Sequence, residues 1–505
     1  MNGNATNGTA MNGTTVNGSM MNGKTMNGTY RPSSTKGGGQ STAAWRALAQ
    51  CLPPRSPDVN YWWQLTGKHL AALIDAADYP IESQYQALLL HYHWIVSSSP
   101  SVKFRMAFNT LITYGGKVPY MGTAPNAHGA PARWKSLLQL DGTPMEYLWK
   151  WNTATSEPEV QYGVEPISQY AGTALDPLNQ QAAREVLHGL ADALPDVDLS
   201  WTNHFLATLF DHNNALYIRE SAAGAHLTTS LLLSVEFPRN GPALKTYFVP
   251  RKLGQGGGIM PVELWESAIN KLDPNNRARA VLHDFMADND EGKLLEPFCL
   301  SVDNVDPFQA GLKWYFNSPH TNFKSIREIM TLGGRIEIIP RLEAQLADLR
   351  ELITSITELP SDFSEDSELP PARQASPTSS NDSFADLPTL LSGVVYVFDV
   401  APGKSLPEVT VFIPQRKHGR NDLQVARRLT QWMEAHGRGK YCDRFMRMLV
   451  NLAEHRHLEE GLGLQTFLSC RFESNGELDI TSYLAPDAFH PSRHGQRRAT
   501  RRRGD

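Results

Sequence analysis

Pairs of strand-forming stretches joined by short turns, each pair bracketed by helical stretches, recur along most of the chain. This order constrains the fold more than any composition value does. Alternating apolar periodicity predicts strands near 134–140, 145–153, 158–165, 228–237, 242–250, 295–303, 311–317, 393–400, 407–413, 464–472 and 477–484. Helical periodicity predicts helices near 57–75, 82–96, 178–194, 261–273, 277–287, 321–332, 340–357, 421–436 and 439–453. The joints carry turn chemistry: Asp141-Gly142-Thr143-Pro144, Pro238-Arg239-Asn240-Gly241-Pro242 and Ser474-Asn475-Gly476. Turns this short join antiparallel neighbours, because a parallel pair needs a long crossover. The reading is α+β: an αββα repeat whose strands close into one antiparallel barrel, with helices outside.

The alternation also sorts the side chains. Met145, Tyr147, Trp149 and Trp151 share one face, and Glu146, Leu148 and Lys150 the other. Leu244, Thr246 and Phe248 oppose Lys245, Tyr247 and Val249; Leu312, Trp314 and Phe316 oppose Lys313, Tyr315 and Asn317. Leu478, Ile480 and Leu484 oppose Asp479, Thr481 and Tyr483. The apolar faces suit packing under helices, which leaves the Lys- and Tyr-bearing faces to line the lumen. A large barrel lined in this way is a chamber and not a packed core.

Lysine ammonium groups bind phosphate oxygens as point charges. Tyrosine ring faces attract cations by about 0.5–2 kcal/mol each. A Lys–Tyr lumen therefore suits a substrate that loses diphosphate and passes through a carbocation. An inward carboxylate such as Glu146 can orient an N–H or O–H of the partner that is alkylated. The chemistry implied is electrophilic alkylation of an electron-rich ring.

Composition narrows the setting. The formal charge of −5 argues against a protein built to coat nucleic acid or an anionic membrane. No stretch approaches the run of about 18 apolar residues that a transmembrane helix requires, and no apolar signal-like stretch opens the chain. Cys51, Cys299, Cys442 and Cys470 are scattered without C-x-x-C spacing, which fits reduced thiols in the cytoplasm. Residues 1–40 repeat Asn-Gly and have too little apolar surface to fold. Residues 41–490 hold the barrel, with a Ser-, Pro- and acid-rich loop inserted near 359–387, and 491–505 form a basic tail.

Several motifs resemble the fungal dimethylallyltryptophan synthase family of aromatic prenyltransferases. They run in that family's order: Gly142-Thr143-Pro144-Met145-Glu146-Tyr147-Leu148-Trp149-Lys150-Trp151-Asn152, then Val164-Glu165-Pro166-Ile167, Gly172-Thr173 and Asp176-Pro177-Leu178-Asn179. Ala243-Leu244-Lys245-Thr246-Tyr247, Leu332-Gly333-Gly334-Arg335 and Gly419-Arg420-Asn421-Asp422 continue the series. The match spans about residues 43–488, with an insertion near 103–127 besides the acid-rich loop. The resemblance implies a ten-stranded antiparallel barrel of prenyltransferase ABBA type. It implies transfer of dimethylallyl from its diphosphate to an indole or phenolic/polyketide acceptor, with no metal and no cofactor, in a monomer or homodimer. Carried over by position, Glu146 holds the acceptor, Lys245, Lys313 and Gln161 face diphosphate, and Tyr247, Tyr315 and Tyr483 shield the cation.

The chain departs from the family pattern at Gln161 and Gly311, where relatives carry Arg, and at Thr410, Phe412 and Asp479. Leu232 stands near the basic residue of tryptophan C4 enzymes, which argues against that reaction. The implied donor pocket is less cationic than usual. Two other readings stay open: a diverged member that cyclises an aromatic precursor, and a non-catalytic carrier. His91/His93 and His455/His457 do not make metal sites, because helix residues two apart point away from each other. Gly254-Gln255-Gly256-Gly257-Gly258 lacks the Lys-Ser/Thr of a phosphate loop and reads as a lid or connection before a helix. Cys470 reads as packing.

Overall fold

Ten antiparallel strands close on themselves with no free edge in the computed structural model. The structure describes residues 42–53, 55–96, 120–126, 129–131, 133–255, 260–371 and 393–494. The Asn-Gly repeat, most of the 103–127 insertion, the acid-rich loop beyond 371, most of the glycine run at 254–258 and the basic tail from 495 lie outside them.

The strands are β1 Met145–Lys150, β2 Glu159–Val164, β3 Leu231–Phe237, β4 Ala243–Phe248 and β5 Glu296–Asp303. They continue with β6 Leu312–Ser318, β7 Val394–Asp399, β8 Glu408–Pro414, β9 Gln465–Phe472 and β10 Leu478–Leu484. Each strand pairs with its sequence neighbours, and β1 closes onto β10 with Leu148 opposite Tyr483. The hairpins β1–β2, β3–β4, β5–β6, β7–β8 and β9–β10 turn at one end, and the helical connections return at the other. The β9–β10 turn shows why its sequence was legible: Gly476 N–H reaches Glu473 O at 3.1 Å with φ at 96°, a conformation open to glycine.

Helices wrap the outside. Asn276, Asn322 and Asn421 cap the helices Arg277–Asp288, Phe323–Met330 and Asp422–Ala435, each accepting from the backbone N–H three residues on. The core lies between strands and helices. Trp149 and Trp151 pack on Phe445 with ring centroids 5.5 and 4.6 Å apart, Trp314 packs on Trp265 at 6.2 Å, and Phe248 on Phe205 at 5.6 Å. No helix among the described residues is long and apolar enough to cross a membrane.

The strand expected at 134–140 is absent. The barrel closes with ten strands, so no edge is left for an eleventh. The segment instead forms a turn tied down by side chains: Trp134 Nε1 donates to Glu165 at 2.6 Å, Leu137 N–H to Thr229 Oγ1 at 2.9 Å, and Gly142 N–H to Gln139 O at 2.9 Å. Helices Ala43–Cys51, Ser200–Thr208 and Asn214–Ala222 were not expected.

Candidate active site

Burial along the strands is inverted relative to a filled barrel. In β4, Leu244, Thr246 and Phe248 are buried, while Lys245 and Tyr247 between them keep some access to solvent. The same alternation separates Leu312, Trp314 and Phe316 of β6 from Lys313 and Tyr315, and Leu478, Ile480 and Leu484 of β10 from Asp479, Thr481 and Tyr483. The buried set faces the helices, so the partly accessible set faces the lumen. The Lys- and Tyr-bearing faces thus line the lumen, as the alternation predicts.

At the hairpin end the lumen carries a ring of charge. Lys245 Nζ lies 2.5 Å from Glu236 Oε1 and 3.6 Å from Asp303 Oδ1. Lys313 stands opposite Asp399 on the neighbouring strand, and Lys150 Nζ lies 3.5 Å from Asp479. Arg471 reaches Glu473 at 2.6 Å, Asp479 at 2.9 Å and Glu408 at 3.0 Å. Burial opposes the charge on Lys245, but Glu236 and Asp303 outweigh it and raise the ammonium pKa. Lys313 is pushed down, by burial first and by the charge of Lys245 second. Both lysines are therefore in the ring, each already facing carboxylate. Gln161 faces the same lumen, opposite Leu148 on one side and Glu236 on the other. At Gly311 a Cβ would come within 2.3 Å of Asp303 Oδ2, so glycine leaves room for that carboxylate.

Beyond the charged ring comes a belt of aromatic rings. Tyr247 and Tyr315 have centroids 5.8 Å apart, Tyr315 and Phe412 6.4 Å, and Phe412 and Tyr483 5.2 Å. The three tyrosines named from sequence are thus brought together, with Phe412 as the link between them. Burial holds all three phenols far above their ordinary pKa, so they stay neutral and present π faces and O–H groups.

Glu146 occupies the end of the lumen away from the hairpins. Its Oε1 accepts from Thr466 Oγ1 at 2.7 Å and from Gln139 Nε2 at 3.1 Å. Thr466 is aimed there by a bulge in β9, which sets Thr466 and Phe467 opposite Tyr483. Burial raises the carboxyl pKa to about 6, against the lowering effect of Thr466, Arg416 and Gln139. Arg471, Glu236, Asp303, Thr466 and Gln139 were all missed from sequence. Arg471 and Glu236 were legible by the alternation that found the lysines; Thr466 and Gln139 sit where alternation fails.

The glycine run precedes Pro261, the N-cap of the helix Val262–Ile269. Cys470 is fully buried and its thiol is pushed up by burial. His91 falls in a π-helical stretch, His91–Val96, and bonds Thr66 Oγ1 at 2.8 Å, while His455 Nε2 lies 3.3 Å from Asp487.

The family model for tryptophan dimethylallyltransferase matches residues 58–117 and 108–448. The chain is 51% identical over 473 residues to xanthone prenyltransferase B of Emericella nidulans, covering 94% of this chain and 97% of that protein. It is 49% identical over 469 residues to prenyltransferase anuH of Penicillium roqueforti, covering 92% and 98%. Among solved structures it is similar to AnaPT from Neosartorya fischeri, with a TM-score of 0.70 at 20% identity, over 88% of this chain and 98% of that one. NotF in complex with brevianamide F and DMSPP superposes with a TM-score of 0.67 at 20% identity, over 88% and 98%. At that identity the two crystal structures speak for the fold alone.

Proposed function

The chain belongs to the tryptophan dimethylallyltransferase family, and from that premise we propose that it prenylates a phenolic, polycyclic aromatic acceptor with dimethylallyl diphosphate as donor. It is an aromatic prenyltransferase, and its relatives' prenyltransferase activity displaces the cyclase and carrier readings. The observation that carries the reading is the order of layers in one lumen: charged ring, aromatic belt, then Glu146.

Lys245, Lys313 and Arg471 receive the diphosphate, exchanging carboxylate partners for phosphate oxygens. The C–O bond of the donor breaks, and its electron pair leaves with diphosphate. Tyr247, Tyr315 and Tyr483 enclose the allylic cation, each ring contributing about 0.5–2 kcal/mol. The acceptor ring closes a C–C bond to the cation while Glu146 takes the phenolic proton. The ring proton then leaves to diphosphate, and Glu146 returns its proton to oxygen, restoring the aromatic phenol. Protein cations supply the charge that a metal would otherwise bring, so the reaction runs without one in the cytoplasm, in a monomer or homodimer.

A phenol fits better than tryptophan. Leu232 stands in the lumen opposite Tyr247 and offers no proton-accepting group, and the relative at 51% identity acts on xanthones. The test is mass spectrometry of purified protein incubated with dimethylallyl diphosphate and a panel of hydroxyxanthones, other phenols and indoles. The expected result is addition of one dimethylallyl group to phenols. Product from L-tryptophan alone would overturn the acceptor assignment.

A further inference from the structure

A buried chain of polar groups runs from Glu146 out of the lumen. Gln139 and Arg416 are 2% and 5% exposed. Arg416 Nη2 donates to Gln139 Oε1, a bond that spans 277 residues of sequence. The same edge of the guanidinium is fixed by Gly463 O, which accepts from Nε and Nη2 at 3.2 and 3.0 Å. Its charge is balanced by Asp487, Asp141 and Asp422, and it also feels Glu146 itself.

The donor–acceptor arithmetic leaves one arrangement. A guanidinium can only donate, so the Gln139 amide must turn its oxygen toward Arg416 and its NH2 toward Glu146. That NH2 and the Thr466 hydroxyl both bond Glu146 Oε1. Among the described residues Oε2 receives no hydrogen bond, which leaves it to the chamber. The turn that replaces the expected strand at 134–140 is what brings Gln139 here, closed by Gly142 N–H on Gln139 O at 2.9 Å.

We propose that Arg416 and Gln139 form a positioning relay: Arg416 sets the Gln139 amide, and the amide clamps one oxygen of Glu146 so that the other meets the acceptor O–H. The relay rests on the reading of Glu146 as the group that takes the phenolic proton. The groups that face this carboxylate are Gln139 from the turn, Thr466 from β9, Arg416 from the segment after β8 and Tyr483 from β10. Of these only Arg416 is charged, and Tyr483 stays neutral across the working range because burial raises its phenol.

The experiment is the pH dependence of kcat/KM with a phenolic acceptor, for wild type and three variants. Wild type should lose activity as pH falls below about 6, where Glu146 becomes protonated. Gln139→Met removes a donor that favours the ionised form, so the acid limb should move up by about one pH unit, with donor KM unchanged. Gln139→Glu, although isosteric, faces a second carboxylate toward Glu146 and should do worse than Met. A side chain that only fills space would show the opposite order and an unmoved limb, and that result overturns the relay. Glu146→Gln should abolish the limb. If the limb survives in Glu146→Gln, the reading of Glu146 falls and the relay with it; if it vanishes there but stays put in Gln139→Met, the relay alone falls. Should Gln139→Met fail to fold by circular dichroism, Arg416→Lys carries the same test. It keeps the charge and loses the fork that orients the amide, and an unshifted limb there refutes the proposal.

Discussion

Replacing Gln161 by arginine should tighten donor binding about tenfold, and replacing Gly311 should not. At both positions the family resemblance implies an arginine that this chain lacks, so a count of charges alone predicts equal gains. The structure separates them. Gln161 sits half-buried on the lumen face beside Glu236, the carboxylate that holds Lys245 at 2.5 Å. An arginine there gains a charge-assisted contact to diphosphate, about 1.5–3 kcal/mol, and competes with Lys245 for Glu236. Because Glu236 claims part of the new charge, the lower figure applies, which corresponds to about tenfold in Kd. At Gly311 the first side-chain atom would come 2.3 Å from Asp303 Oδ2 and 3.1 Å from its Cγ. Asp303 must then swing away from Lys245, and the new guanidinium is drawn to that same carboxylate. Its gain should stay below about threefold, since the added cation is neutralised where it stands. Isothermal calorimetry with a non-ionising thiolodiphosphate analogue of the donor reads both constants directly. An unchanged Kd for Gln161→Arg, or a larger gain for Gly311→Arg, would refute the assignment of the hairpin end as the diphosphate site.

Lys245→Ala and Lys313→Ala should each cut turnover by at least about tenfold, a barrier change of about 1.4 kcal/mol, in steady-state assays with saturating acceptor; wild-type rates would remove them from the donor site. Glu146→Ala should abolish or scramble product by chromatography, whereas Glu146→Gln, whose oxygen still accepts from Thr466 and Gln139 although it takes no proton, keeps more activity than Ala. Transfer should survive EDTA, because in the proposed mechanism Lys245, Lys313 and Arg471 meet the leaving diphosphate; loss on chelation with recovery on added magnesium would contradict this. Asp422→Ala should lower stability by about 3–5 kcal/mol in denaturant unfolding, because fully buried Asp422 accepts from Arg456 at 2.6 Å and from the N–H groups of Leu464 and Gln465.

The strands that were legible are those where one face meets helices and the other meets the lumen, since that contrast writes a two-residue period into the chain. Lys245, Tyr247, Lys313, Tyr315 and Tyr483 were found by this period, and the structure brings them into one lumen. The carboxylates opposite them were not paired in advance. Alternation says which face a residue takes, but only cross-strand register says that Lys245 meets Asp303 and Lys313 meets Asp399. Residues 134–140 alternate like a strand, yet barrel closure leaves them no partner, and Trp134 and Leu137 bond side chains instead. Gln139 and Arg416 lie outside any strand, so no period marks them; their pairing is a product of the closed topology. Helices such as Ser200–Thr208 were missed because their apolar stripe is short and polar residues interrupt it.

Because the packed core lies outside the barrel wall, the side chains that face the lumen contribute little to holding the protein together. Val160, Leu233 and Val411 carry the packing, and Gln161, Leu232, Thr410 and Phe412 line the other side of the same strands. A lineage can therefore redraw the lumen without first accumulating stabilising changes elsewhere, since a new lumen residue opens no cavity in the packed layer. The same separation favours laboratory libraries confined to lumen positions: most variants should remain folded, and selection would then act on acceptor choice instead of on survival of the fold.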